Sequence, residues 1–151
     1  MIRMKFSVLL FVSLLFVAFQ TVGQNKVNEL KKVKFNLDKA GEDKIGYAQA
    51  VRVGNTIYVS GSVGWGKMED AMKLAYDEID KTLKNYHATF KNVVKENLYT
   101  TALDSVIKHK DLRMNYYGTD YPAAIWAEVQ RLYNPGLVVE IEVIAELPED
   151  K

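Results

Sequence analysis

The chain has 151 residues, 20 basic against 19 acidic, a formal charge of +1 and no cysteine. A balance this close to neutral gives no electrostatic reason to expect a nucleic-acid or anionic-membrane partner. The missing thiols exclude a disulfide-stapled domain, a lipoprotein anchor and a thiolate metal site.

At the N-terminus Arg3 and Lys5 precede an apolar run from Phe6 to Phe19, and "QTVGQ" then offers small residues at Thr21 and Gly23. That pattern reads as a signal peptide over 1–23; the competing reading, an uncleaved anchor, is disfavoured by the short apolar run. Cleavage leaves one domain, 24–151, long enough for a real core and without stable membrane insertion. Without Arg3 and Lys5, 18 basic residues face 19 acidic ones. Export without cysteine fits a bacterial periplasm or secretion. Lys26, Lys31, Lys32 and Lys34 read as a solvated leader to the domain.

"VKFNL" (33–37) alternates as a first strand. "YAQAVRV" (47–53) and "TIYVSG" (56–61) flank Gly54-Asn55, a two-residue hairpin turn. Met68, Ala71, Met72, Ala75, Ile79, Leu83 and Tyr86 recur at helical spacing, with Glu69 and Asp70 in the first turn. A strand is centred on Leu98–Ala102. Asp104 caps a second helix through Val106, Ile107, Met114 and Tyr117, ended by Gly118. Strands over about 123–132 and 137–147 close the chain around "YNPG". Two helices cover one face of such a sheet but not both. The last strand is nonetheless apolar on both parities, as strands buried on both faces are. The uncovered face is therefore expected to pack on another copy, with Glu140 and Glu142 at that interface.

Three candidate chemistries lack the residues they need. "GSVGWGKM" (61–68) has the G-x-x-x-x-G-K spacing of a phosphate loop, but Met68 stands where a Mg²⁺-binding hydroxyl is needed. His87 and His109 have no metal-ligand spacing, and no nucleophile-elbow sequence surrounds Ser60. What remains is a quieter set of polar groups near strand ends: Tyr47, Ser60-Gly61 and Glu140.

"IGYAQAVRVGNTIYVSG" (45–61) with "YPAAIWAEVQRLYNPGLVVEIEVIA" (121–145) closely resembles the RidA/YjgF family, also called endoribonuclease L-PSP. The resemblance implies an α+β, chorismate-mutase-like fold: a six-stranded mixed sheet with two helices on one face, three copies packing by their sheets around inter-subunit ligand clefts. It implies hydrolysis of small enamines and imines to a keto acid and ammonia, with no metal or cofactor. Carried over by motif, Glu140 is the catalytic glutamate that holds water. Tyr47, Ser60 and Gly61 bind substrate, and Glu142 matches a second glutamate of less defined role.

The family's deaminases read P-A-R where this chain reads Pro122-Ala123-Ala124, so the arginine that clamps a substrate carboxylate is replaced by Ala124. Trp126, on the same strand parity, enlarges what was a small residue in or beside the cleft. Along this segment only Arg131 offers a guanidinium, on the opposite parity. A hydrolase of altered specificity, acting on a neutral imine, is the expectation. A non-catalytic binding trimer in which Trp126 stacks on the ligand is the alternative. A ribonuclease is poorly supported by a near-neutral chain without evident catalytic histidines.

Overall fold

The computed structural model describes residues 29–149, so the signal-peptide reading of 1–23 lies outside the described residues. The elements are β1 (Lys32–Phe35), α1 (Lys39–Ile45), β2 (Ala50–Val53), β3 (Thr56–Trp65), α2 (Met68–Asn85), β4 (Val93–Thr100), α3 (Leu103–Lys108), α4 (Lys110–Tyr117), β5 (Ala123–Glu128) and β6 (Leu137–Glu146). Six strands form one mixed sheet in the order β1-β2-β3-β6-β4-β5, antiparallel except for the parallel β4–β5 pair. This is the α+β, chorismate-mutase-like architecture, with α2 and the α3–α4 pair on one face. Among the described residues no helix is long and apolar enough to cross a membrane.

Strand alternation decides which face is core. Val139, Ile141, Val143 and Ala145 of β6 are buried, as are Ile57 and Val59 of β3. Against them α2 lays Met72, Ala75, Tyr76, Ile79 and Leu83, all fully buried at helical spacing. Each such side chain contributes about 1.5–3 kcal/mol by leaving water. The other parity of β6 (Val138, Glu140, Glu142 and Ile144) is half-buried on the open face.

Several boundaries differ from the sequence reading. The polar segment 39–45 forms α1, which no apolar period announces. The second helix is two pieces meeting at His109, whose φ of −104° departs from helical values. Ala102, not Asp104, precedes its first turn. β2 starts at Ala50 and β5 ends at Glu128. In "GSVGWGKM", 61–65 is strand, and a Cβ on Gly64 would lie 2.0 Å from the Ala71 carbonyl oxygen of α2. That glycine lets strand and helix backbones touch; it does not cradle a phosphate.

Candidate functional site

The candidate site lies where β3 outruns β2. Their register ends at Ala50 opposite Val59. Beyond it the Ser60 N–H still donates to the Gln49 carbonyl at 2.9 Å, and the Ser60 hydroxyl donates to the Ala48 carbonyl at 2.7 Å. On the β6 side Val59 faces Val143 and Ser62 faces Ile141. Ser60 and Gly61 thus both stand against the single Glu142, a bulge that turns this corner of β3 outward.

Gly61 has a direct steric reason. A Cβ there would fall 2.1 Å from Glu140 Oε1 and 2.7 Å from its Cγ. The Glu140 side chain therefore leans across β3 through space that any other residue at 61 would fill. It reaches a pocket of about 460 Å³ walled by Tyr47, Ser60, Gly61, Glu140, Glu78 and Tyr133. Among the described residues the Glu140 carboxylate has no hydrogen-bond partner, yet neither oxygen is sealed off unpartnered. Both are therefore available to water.

Burial, and then the nearby Glu142 charge, raise the Glu140 pKa above the ordinary carboxylate value. Glu78 is raised as well, by burial and by Glu42, against a lowering hydrogen bond with Ser62. Burial and the surrounding carboxylates, Glu42 first, push the Tyr47 phenol up. The pocket thus combines two carboxyl groups with enhanced proton affinity, a neutral phenol and a hydroxyl. Its charge favours a neutral or positively charged reacting group.

Glu142 lies apart from this pocket. It accepts from Asn97 Nδ2 at 2.7 Å and from the Tyr99 hydroxyl at 3.5 Å on the open face of the sheet. Within one chain, Tyr47, Ser60, Gly61 and Glu140 are brought together, whereas Ala124 and Trp126 are not with them. β5 is an edge strand beyond β4, and Trp126 pairs in register with Leu98 on the helix-covered face. Its indole N–H donates to Glu96 Oε1 at 3.2 Å.

Glu78 and Tyr133 escaped the sequence reading. Glu78 is one of many charges on an amphipathic helix, and Tyr133 stands in an irregular loop. Neither carries a local signal. Among the described residues no group of three or more His, Cys, Asp or Glu is placed to hold a metal.

The loop bearing Tyr47 is organised by one buried carboxylate. Glu42 Oε1 accepts the N–H groups of Leu37 at 2.7 Å and Asp38 at 2.8 Å; Oε2 accepts the Gln49 N–H at 2.8 Å and the Asn36 amide. This single side chain ties the end of β1, the start of α1 and the approach to β2. Burial alone raises its pKa, but the donors, from Asp38, Asn36, Gln49 and Leu37, outweigh burial and hold it below 4.5. A depressed folded-state pKa adds stability that is complete above the unfolded value and is lost as pH falls through the folded one. The stability difference between wild type and Glu42→Gln, followed by thermal melts, should therefore be largest near neutrality and shrink below pH 4.5. A difference independent of pH would remove the carboxylate from this role.

Comparison with known proteins places this geometry. The family model described as Endoribonuclease L-PSP matches residues 38–147. A 2-iminobutanoate/2-iminopropanoate deaminase of Bos taurus is 32% identical over 108 residues, 66% of this chain and 78% of that protein. The Capra hircus protein of the same name is 34% identical over 109 residues, 66% and 78% of the two chains. Among solved structures, a Mycobacterium tuberculosis member of the YjgF/YER057c/UK114 family superposes with a TM-score of 0.72 at 28% identity, over 78% of this chain and 100% of that one.

Proposed function

The chain belongs to the endoribonuclease L-PSP family, and from that premise we propose that it is a water-adding hydrolase of small imines or enamines. The observation that carries this is the Glu140 carboxylate, without a hydrogen-bond partner among the described residues, raised in pKa and leaning over Gly61 into a pocket with Tyr47 and Ser60. Glu140 holds a water and takes its proton as the oxygen adds to the carbon of the protonated imine, giving a neutral carbinolamine. Glu140 then passes that proton to the carbinolamine nitrogen, and as the C–N bond breaks the hydroxyl proton returns to Glu140, leaving a carbonyl and ammonia. A raised pKa suits both halves, since the same group must accept a proton and return it.

The open sheet face is proposed to pack on other copies as a trimer, which buries Val138 and Ile144 and the exposed ring of Tyr58. Clefts between copies would then complete the pocket. Specificity is proposed to differ from that of relatives with an arginine at the position of Ala124.

The test is ammonia release from imines generated in situ, both from 2-amino acids and from their neutral amides. The expected acceleration over spontaneous hydrolysis is about 10²-fold or more, the usual scale of acid–base catalysis. Release at the spontaneous rate with every imine would rule the hydrolase out and leave a binding protein.

A further inference from the structure

Among the described residues the most enclosed cation on the helix side of the sheet is Arg113 of α4, only 7% exposed. Its Nε donates to Glu96 Oε1 at 2.7 Å. Glu96 is itself fully buried and already has other donors: Trp126 Nε1 at 3.2 Å on Oε1, with the Tyr117 hydroxyl at 2.7 Å and the Tyr76 hydroxyl at 3.1 Å on Oε2. Four donors match the roughly four acceptor sites of a carboxylate, so Glu96 has none left for a second guanidinium nitrogen.

The two terminal nitrogens of Arg113 have no hydrogen-bond partner among the described residues. Neither is sealed from solvent, because no fully buried polar side-chain atom is left unpartnered. The rings of Tyr117, Trp126 and Tyr121 stand around the guanidinium carbon at 4.7, 5.4 and 5.9 Å. Tyr121 is exposed, and Ala124, in register with Glu96, is exposed and has only a methyl group to cover the approach.

A guanidinium costs free energy to desolvate, and that cost is offset only when its donors are met. Here one edge is fixed by Glu96 while the terminal fork is left for something outside the chain. Two coplanar oxygens fit that fork, and flat aromatic walls favour a planar organic anion over a tetrahedral one. We propose that Arg113, braced by Glu96 and framed by Trp126 and Tyr121, binds the carboxylate of a small organic acid. Ala124 leaves the entrance open. The expectation of a neutral ligand, drawn from position 124 alone, is thereby revised: the cation comes from a helix and not from the strand.

The carboxylate site stands on this geometry and not on the hydrolase reading. Joined to that reading, it makes the substrate an imino acid. Glu96 and Glu140 lie on opposite faces of one sheet, so the two sites of one chain cannot hold one ligand, and the joined reading requires Arg113 of one copy beside the Glu140 pocket of another.

Trp126 reports on the site directly. The chain has two tryptophans, so Trp65→Phe leaves Trp126 as the sole tryptophan, read apart from the tyrosines by excitation at the red edge of its absorption. In that background, pyruvate at constant ionic strength should change the emission saturably, and pyruvamide should not. Arg113→Lys should weaken the pyruvate response about 10-fold, since an ammonium cannot form the paired contact. Ala124→Glu, at an exposed position, should abolish the response without lowering the melting temperature, by supplying a carboxylate from within. The site is overturned if pyruvate does no more than pyruvamide, a result that needs no variant to fold. It is equally overturned if Ala124→Glu leaves the response intact. Carboxylate binding without ammonia release would remove the hydrolase reading alone, and ammonia release without carboxylate binding would remove this site alone.

Discussion

Glu140→Gln should lower imine turnover by about 10²–10⁴-fold, the range attributed to a positioned acid–base group, and should leave the fold intact. The substitution preserves size, so the side chain can still lean over Gly61. What it removes is a group able to take a proton from water and return it to the leaving amine. The melting temperature should not fall: the raised Glu140 pKa means that ionisation at neutral pH opposes folding slightly, and an amide carries no such cost. Wild-type turnover should decline as pH drops through that raised pKa, because protonated Glu140 cannot act on water. Ammonia release and thermal melts on the same preparations separate the outcomes. A variant that keeps more than about a tenth of the wild-type rate would move the chemistry elsewhere in the pocket, with Glu78 the next candidate.

The largest expected loss of stability follows Glu96→Ala, at about 3–5 kcal/mol, the usual cost of removing one partner of a buried ion pair. Arg113 would keep its charge with no counter-ion, and the Tyr76, Tyr117 and Trp126 donors would lose their acceptor together. At about 4 °C per kcal/mol for a domain of this size, the melting temperature should fall by roughly 10–20 °C. Replacing both charges, as Glu96→Leu with Arg113→Met, should recover only the part of that loss due to the unpaired guanidinium, because the three aromatic donors remain without their acceptor. A double-mutant cycle with each single variant measures the coupling. A loss below about 1 kcal/mol for Glu96→Ala would mean that solvent reaching the open side of Arg113 replaces the carboxylate, so that Glu96 does not act as a buried counter-ion.

Much of the architecture could be read from local pattern. Gly54-Asn55 between two alternating runs, the apolar stripe from Met68 to Leu83 and the two-faced closing strand each follow a period that short-range physics sets. Segment 39–45 has no such period; α1 depends on the contacts of Glu42 with residues on both sides of it. Of the candidate site, Tyr47, Ser60, Gly61 and Glu140 were named through the family resemblance, since as strand-end polar groups they carry little signal of their own, and they line one pocket. Trp126 was expected to offer its ring to a ligand, yet its N–H is committed to Glu96. Arg113 and Glu96 could not be found from sequence. In "KDLRMNYY" and "VVKENLYT" each reads as an ordinary solvated charge, and what buries them arrives from Tyr76, Tyr117 and Trp126, far apart in the chain.

The place of β6 has a consequence for how the protein is made. The last strand to leave the ribosome is a central one, paired with β3 on one side and β4 on the other. Until it emerges, the β1–β2–β3 meander and the β4–β5 pair share no sheet hydrogen bonds, and the half-sheets cannot zip together. A nascent chain that stops at Pro135 holds most of the core but lacks Val139, Ile141, Val143 and Ala145 and the strand that joins the two halves. Closure of the sheet must therefore wait until β6 has emerged, and for that interval the apolar edges of β3 and β4 are left to whatever holds the unfinished chain apart from its neighbours.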